Sequence, residues 1–243
     1  MNLLVQIGTD YFNNQRLEKA HFVDDKSANN LLTDLKNYPH AFVLGCIMDR
    51  QIIAERAWII PFEIKKKLET FEFKDLLKVS KDEYIKLFTD LKLHRFNEIM
   101  ANNFFDALKL INDKYNGDAS LIWSNKPSSA SVVKRFREFK GIGNKISTMA
   151  TNILARKFRI PFSDYSSIDI SPDVHVKRVM ERTGLVPLKS NKKIIINKAR
   201  ELNPEFPGII DHTCWKIGQN WCRPTNPDCK SCEIEKECKK IIE

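Results

Sequence analysis

The chain has 243 residues and a formal charge of +9, from 40 Lys and Arg against 31 Asp and Glu, an excess that favours an anionic partner such as nucleic acid. No run approaches the ~18 apolar residues of a membrane span, which argues against a membrane-embedded helix. The opening MNLLVQIGTDYF has no basic start and no long apolar stretch, so a soluble cytoplasmic protein with reduced thiols is expected, nucleoid-associated if prokaryotic.

The periodicity is helical nearly throughout, and weakest over the first twenty-five residues. Leu31, Leu32 and Leu35 fall at helical spacing within 28–38. Residues 40–58, strongly apolar and following Pro39, read as one buried helix. Segments 63–77, 81–92, 96–114, 131–139 and 144–158 also suit helices, with Asn116-Gly117-Asp118 and Pro127-Ser128-Ser129 as breaks. IPFSDYSSIDIS, after Arg159, has no helical stripe and reads as a surface loop or short hairpin. Ser171-Pro172-Asp173 reads as an N-cap with proline at the first helical position, opening a helix to about Arg182. Asn191 caps a further helix, and Pro207 precedes a last one ending near Trp221. The expected fold class is all-α.

The charge is concentrated. Within 131–160, Lys134, Arg135, Arg137, Lys140, Lys145, Arg156, Lys157 and Arg159 stand against Glu138 alone, a net of seven. Solvated helix faces normally mix signs, so a one-signed segment favours phosphate contact. Phe139-Lys140-Gly141-Ile142-Gly143-Asn144-Lys145 lies inside it, between two helical segments. Gly141 and Gly143 allow the backbone to come close to a ligand, and the helix beginning near Asn144 offers free N–H groups and a positive dipole end. The segment reads as a helix-hairpin-helix clamp on a DNA backbone, a contact that positions without reading sequence.

Cys222, Cys229, Cys232 and Cys238 read C-x6-C-x2-C-x5-C. Four thiolates within one short loop select zinc or an iron–sulfur cluster over hard cations. Only Cys229 and Cys232 form the tight knuckle usual for zinc, and the wider flanking spacings suit a cubane, whose corners lie further apart. Two disulfides remain the other reading, disfavoured in a reducing compartment. Cys46 and Cys214 sit in apolar segments as core thiols.

Hairpin, following lysine, later aspartate and terminal cysteines together resemble the endonuclease III family of helix-hairpin-helix DNA glycosylases with an iron–sulfur cluster loop, over roughly residues 28–240. The resemblance implies a two-lobed fold, with a helical barrel domain over 29–158 ending in the hairpin. A second domain, 1–28 and 159–243, would carry a 4Fe–4S cluster on Cys222, Cys229, Cys232 and Cys238. It implies a base-excision glycosylase with AP-lyase activity, monomeric, acting on double-stranded DNA with a damaged base, an oxidised pyrimidine above all, or an abasic site. Lys145 falls on the family's catalytic lysine and Asp173 on its catalytic aspartate, with His175 and Arg178 fitting the local D-x-H-x-x-R pattern. Gln51 falls on a glutamine that fills the gap left by the extruded nucleotide. Lys140, Gly141, Gly143 and Arg178 join it as expected DNA contacts. The sequence departs from the family in three places: Phe139-Lys140 stands where Leu-Pro is usual, the 160–172 loop lengthens the lysine-to-aspartate interval, and Met48-Asp49-Arg50 replaces small residues before Gln51. Alternatives are a monofunctional mismatch glycosylase using water activated by Asp173, and a non-catalytic iron–sulfur DNA-binding protein.

Overall fold

A computed structural model describes residues 2–14 and 20–242. Among them the regular structure is entirely helical: α1 Leu3–Asn14, α2 Lys26–Thr33, α3 Pro39–Met48, α4 Ala54–Trp58, α5 Ile60–Leu68, α6 Phe73–Leu76, α7 Lys81–Asp90, α8 Asn97–Tyr115, α9 Ser129–Phe136, α10 Asn144–Arg156, α11 Val174–Arg182, α12 Lys192–Leu202 and α13 Asp211–Asn220. Two 3-10 turns, Ala119–Ile122 and Pro207–Ile210, complete the set. No described helix is long and apolar enough to cross a membrane.

Local chemistry explains many of the boundaries. Ser80 caps α7 through a reciprocal box with Glu83, whose carboxylate accepts the Ser80 N–H at 2.7 Å. Asn116, left-handed at φ 51, ends α8. Asn191 caps α12 by accepting the Ile194 N–H at 3.1 Å.

Four expectations are corrected. The helix expected over 40–58 stops at Met48, because α3 is buried on every side and Asp49, Arg50 and Gln51 cannot follow it into the core without partners. The chain turns there, with Gln51 left-handed at φ 57, and resumes as α4. The segment 63–77 divides at Glu69, left-handed at φ 58, into α5 and α6. The cap before α11 is Asp173 rather than Ser171: its Oδ1 accepts the N–H groups of His175 and Val176, both at 2.8 Å. The 160–172 stretch is irregular, as expected, but not a free surface loop, since Phe162, Ile168 and Ile170 are buried.

The core is continuous and centres on α3, which packs against α2, α4, α5, α8 and α10. Phe42 touches Trp58, Trp123, Phe136 and Phe158, so Phe42→Ala would remove about 3–5 kcal/mol by cavity formation. At the other end α1 lies on α13 and the 207–210 turn, while α11 packs on α12 and α13. This packing brings residue 145, at the start of α10, to the same depression as residue 173, before α11.

Candidate functional site

The hairpin lies between α9 and α10. Phe139 and Ile142 are buried and anchor the turn, which the Ile142 N–H closes on the Phe139 carbonyl at 3.1 Å. Gly141 has φ 87, and a Cβ there would lie 2.8 Å from Asn103 Nδ2, so both conformation and space require glycine. Gly143 differs. It caps α10 with φ −96, and a Cβ would meet nothing within 4 Å. No side chain caps α10, which leaves its first N–H groups free for an anion. Lys140 is exposed and paired with Asp106 at 2.7 Å.

Lys145 is exposed one residue into α10 and lines two depressions. One is a groove of about 1200 Å³ walled by Lys134, Arg137, Asn144, Lys192, Lys193 and Arg200, the last held by Asp169 through two 2.7 Å bonds. The other is a cleft of about 400 Å³ that Lys145 shares with Asp173, Asp49 and Asp211. Asp173 spends Oδ1 on the α11 cap, which fixes the carboxylate in orientation. Asp164 and Asp169, two further carboxylates in the 160–172 stretch, are bound to Ser129 and Arg200.

Ser171 connects these parts. Its hydroxyl donates to the Lys145 carbonyl at 3.4 Å and its N–H to Asp211 Oδ1 at 3.1 Å, two residues before Asp173. Burial pushes Asp211 up to about 7, with the Ser171 N–H, Arg156 and Lys145 opposing and Asp173 adding to the rise. Burial likewise raises the Asp49 carboxyl, against the pull of Lys145 and Trp58. Next to Asp211, burial brings His212 down to about 3.

Gln51 is exposed in the turn after α3; its neighbours Asp49 and Ile52 line the cleft, and its carbonyl accepts from Arg95 Nη1 at 3.4 Å. Arg178, expected among the DNA contacts, has its guanidinium committed to the protein. Nε donates to the Cys222 carbonyl at 2.6 Å, and Nη2 donates to the Gly218 carbonyl at 2.8 Å and lies 3.0 Å from His175 Nδ1. It therefore joins α11 to the start of the cysteine segment.

Four cleft residues were not anticipated: Asp49, Asn152, Arg156 and Asp211. Asn152 and Arg156 stand four apart on the buried face of α10, where a polar pair interrupting an apolar stripe was the available signal. For Asp211 the available signal was a carboxylate opening an apolar helix.

Cys222, Cys229, Cys232 and Cys238 line one small cavity, walled by Val179, Ile217 and Ile234 and bordered by Arg182, Lys240, Asp228 and Glu235. All four are free thiols, as are the buried Cys46 and Cys214. Among the described residues no group of three or more His, Cys, Asp or Glu side chains is disposed to hold a single metal ion. Arg182 holds the segment, its Nη1 and Nη2 donating to the carbonyls of Arg223 and Pro224 at 2.6 and 2.9 Å.

No family model and no curated protein matches the chain. Solved structures do match. A trapped covalent endonuclease III–DNA intermediate, in its estranged-adenine complex, superimposes with a TM-score of 0.59 at 17% identity, over 98% of this chain and 93% of that one. A thermostable thymine-DNA glycosylase gives 0.62 at 18% identity, over 98% and 94%. The apo 8-oxoguanine glycosylase/lyase of Clostridium acetobutylicum gives 0.54 at 16%, over 88% and 66%. The fold is that of the helix-hairpin-helix DNA glycosylases. At these identities the likeness speaks for architecture, and the chemistry rests on this chain's own cleft.

Proposed function

We propose that the protein is a base-excision DNA glycosylase with AP-lyase activity, acting on duplex DNA that carries a damaged base or an abasic site. The observation that carries this reading is the shared cleft: an exposed primary amine, Lys145, and an oriented carboxylate, Asp173, line one cavity beside a hairpin whose helix N-terminus is free. Lys145 also lines the basic groove, so a strand held there would pass the amine while one nucleotide turns into the cleft. The names of the matched structures, which include a covalent DNA intermediate and a glycosylase/lyase, support the same chemistry.

The steps balance with these two groups. Unprotonated Lys145 Nζ bonds to C1′ as the glycosidic electron pair leaves with the base, and Asp173 stabilises positive charge on the sugar. Asp173 accepts the proton that the nitrogen loses and passes it to the ring oxygen as the sugar opens, which leaves a protonated Schiff base and a free carboxylate. That carboxylate takes a C2′ proton, the electron pair expels the 3′ phosphate, and water releases the lysine. Gln51, exposed beside the cleft, would fill the vacated position in the duplex.

The cysteine cavity suits a 4Fe–4S cluster held by Cys222, Cys229, Cys232 and Cys238. Four free thiols around one largely apolar cavity supply the ligand set that such a cluster needs. The cluster would supply a structural cross-link between α11, α13 and the terminal segment. An oxidised pyrimidine is the proposed substrate base.

Borohydride trapping on an abasic duplex tests the reading. The wild type should give a covalent adduct, Lys145→Gln none, and Asp173→Asn a yield reduced roughly 100-fold. Undiminished trapping in Lys145→Gln would place the nucleophile elsewhere.

A further inference from the structure

Arg156 is the most unusual charge in the molecule. It is 8% exposed, lies at the end of α10 and lines the cleft, yet its Nε and Nη1 have no hydrogen-bond partner. Asp211, across the same cleft, attracts it. A buried cation without a partner is disfavoured in a folded protein unless something outside the chain completes it. Asn152, one turn earlier, has the same character: its Nδ2 is fixed on the Gly208 carbonyl at 3.0 Å and its Oδ1 is unpartnered. Three polar side chains thus line the cleft with capacity to spare: the Arg156 guanidinium, an Asp211 carboxylate oxygen and, one turn before Arg156 on the same helix, the Asn152 carbonyl.

We infer that Arg156 and Asp211 form the base-recognition face of this cleft and select bases presenting a lactam edge, a carbonyl oxygen next to a ring N–H. This deepens the proposed glycosylase reading and depends on it. The guanidinium supplies donors to the carbonyl, and a carboxylate oxygen accepts the ring N–H. Uracil-type pyrimidines have that order on their Watson–Crick edge. Cytosine-type bases reverse it, placing an amino donor where the carbonyl would be and a lone pair where the N–H would be. The reversed edge would leave Arg156 unpaired beside a second donor, so the cleft rejects it. Arg156 Nε and Nη1 are buried, so recognition involves a short swing of this long side chain into the cleft toward Asp211.

Paired lesions test this. Duplexes carrying 5-hydroxyuracil or 5-hydroxycytosine at one position differ in the lactam edge and share the damage. At about pH 8, above the Asp211 value, the wild type should release 5-hydroxyuracil roughly 100-fold faster in single turnover. In Arg156→Met, of similar length and uncharged, the ratio should collapse toward one, and Arg156→Lys should give an intermediate ratio. Thermal unfolding of Arg156→Met should show an unchanged or raised Tm, since an unpaired buried charge is removed. A lowered Tm with the ratio preserved would identify a structural cation, for instance one paired directly with Asp211, and would overturn the inference. Equal release of the two bases by the wild type, with normal trapping on an abasic duplex, would overturn it while leaving the glycosylase reading standing. Absence of both release and trapping would remove the two together.

Discussion

Ser171 ties Asp211 to the mouth of the cleft: its N–H reaches Asp211 Oδ1 at 3.1 Å while its hydroxyl reaches back to the Lys145 carbonyl at 3.4 Å. The serine therefore sets how far Asp173, two residues on, stands from the amine at the start of α10. Ser171→Ala keeps the N–H bond and loses the hydroxyl clamp. The protein should lose about 1 kcal/mol of stability, and single-turnover release should slow roughly tenfold with substrate affinity little changed. An unaltered rate would show that the spacing is set elsewhere.

Asp211 and His212 should pull the pH dependence of stability in opposite directions. Asp211 is raised to about 7 in the folded protein, so it favours the native state at low pH and this contribution fades as pH rises through 7. His212 is lowered to about 3, so the native state holds it neutral, and stability is lost as pH falls below the ordinary histidine value. Between about pH 4.5 and 6.5 the wild type should be nearly flat. Asp211→Asn should expose the histidine slope, with stability falling on acidification, and His212→Asn the aspartate slope, with stability falling as pH rises. Asp211 retains an opening to the cleft, so solvent screening brings the expected difference to on the order of 1–2 kcal/mol, readable by urea titration.

The two hairpin glycines should separate folding from binding. Gly141→Ala strains a left-handed backbone and drives a Cβ against Asn103, costing roughly 1–3 kcal/mol. Gly143→Ala meets open space at φ −96 and should change stability by less than about 0.5 kcal/mol. Its effect should instead be on binding to an undamaged duplex, weakened roughly tenfold by a methyl group where the phosphate backbone comes close. Equal affinities for wild type and Gly143→Ala would move the clamp away from this turn.

Cys232→Ser should give a protein without visible iron–sulfur absorption, with Tm lowered by roughly 10 °C. Arg178→Met should produce a smaller loss, because its bonds to the Cys222 and Gly218 carbonyls hold the cavity from the α11 side. A colourless wild type purified without oxygen, binding zinc alone, would replace the cubane with a mononuclear site.

Much of this molecule was legible before its tertiary structure. The helical periods, the Gly-x-Gly turn, the asparagine cap at 191 and the cysteine grouping are local patterns, and local patterns reflect backbone geometry within a few residues. The errors lie where tertiary context competes with periodicity. The apolar run from 40 looked continuous, but a helix buried all round had no room for Asp49, Arg50 and Gln51. Ser171 looked like a cap, but its polar groups are drawn to Lys145 and Asp211, and the cap passes to Asp173. Arg178, an expected phosphate contact, bonds to the carbonyls of Val174, Gly218 and Cys222 and lies against His175, an arrangement that no local pattern discloses.

By itself the sequence determined the helical class and the anion-seeking segment, because charge, spacing and glycine placement are written along the chain, while Lys145 came forward as candidate nucleophile through the family resemblance. Only the tertiary structure decided which carboxylates share a cleft with Lys145, and that an unpaired guanidinium lies with them. Residues 49, 145, 156, 173 and 211 are distant in sequence and become neighbours through the packing of α3, α10, α11 and α13, and burial, which no single segment encodes, gives the cleft its electrostatics.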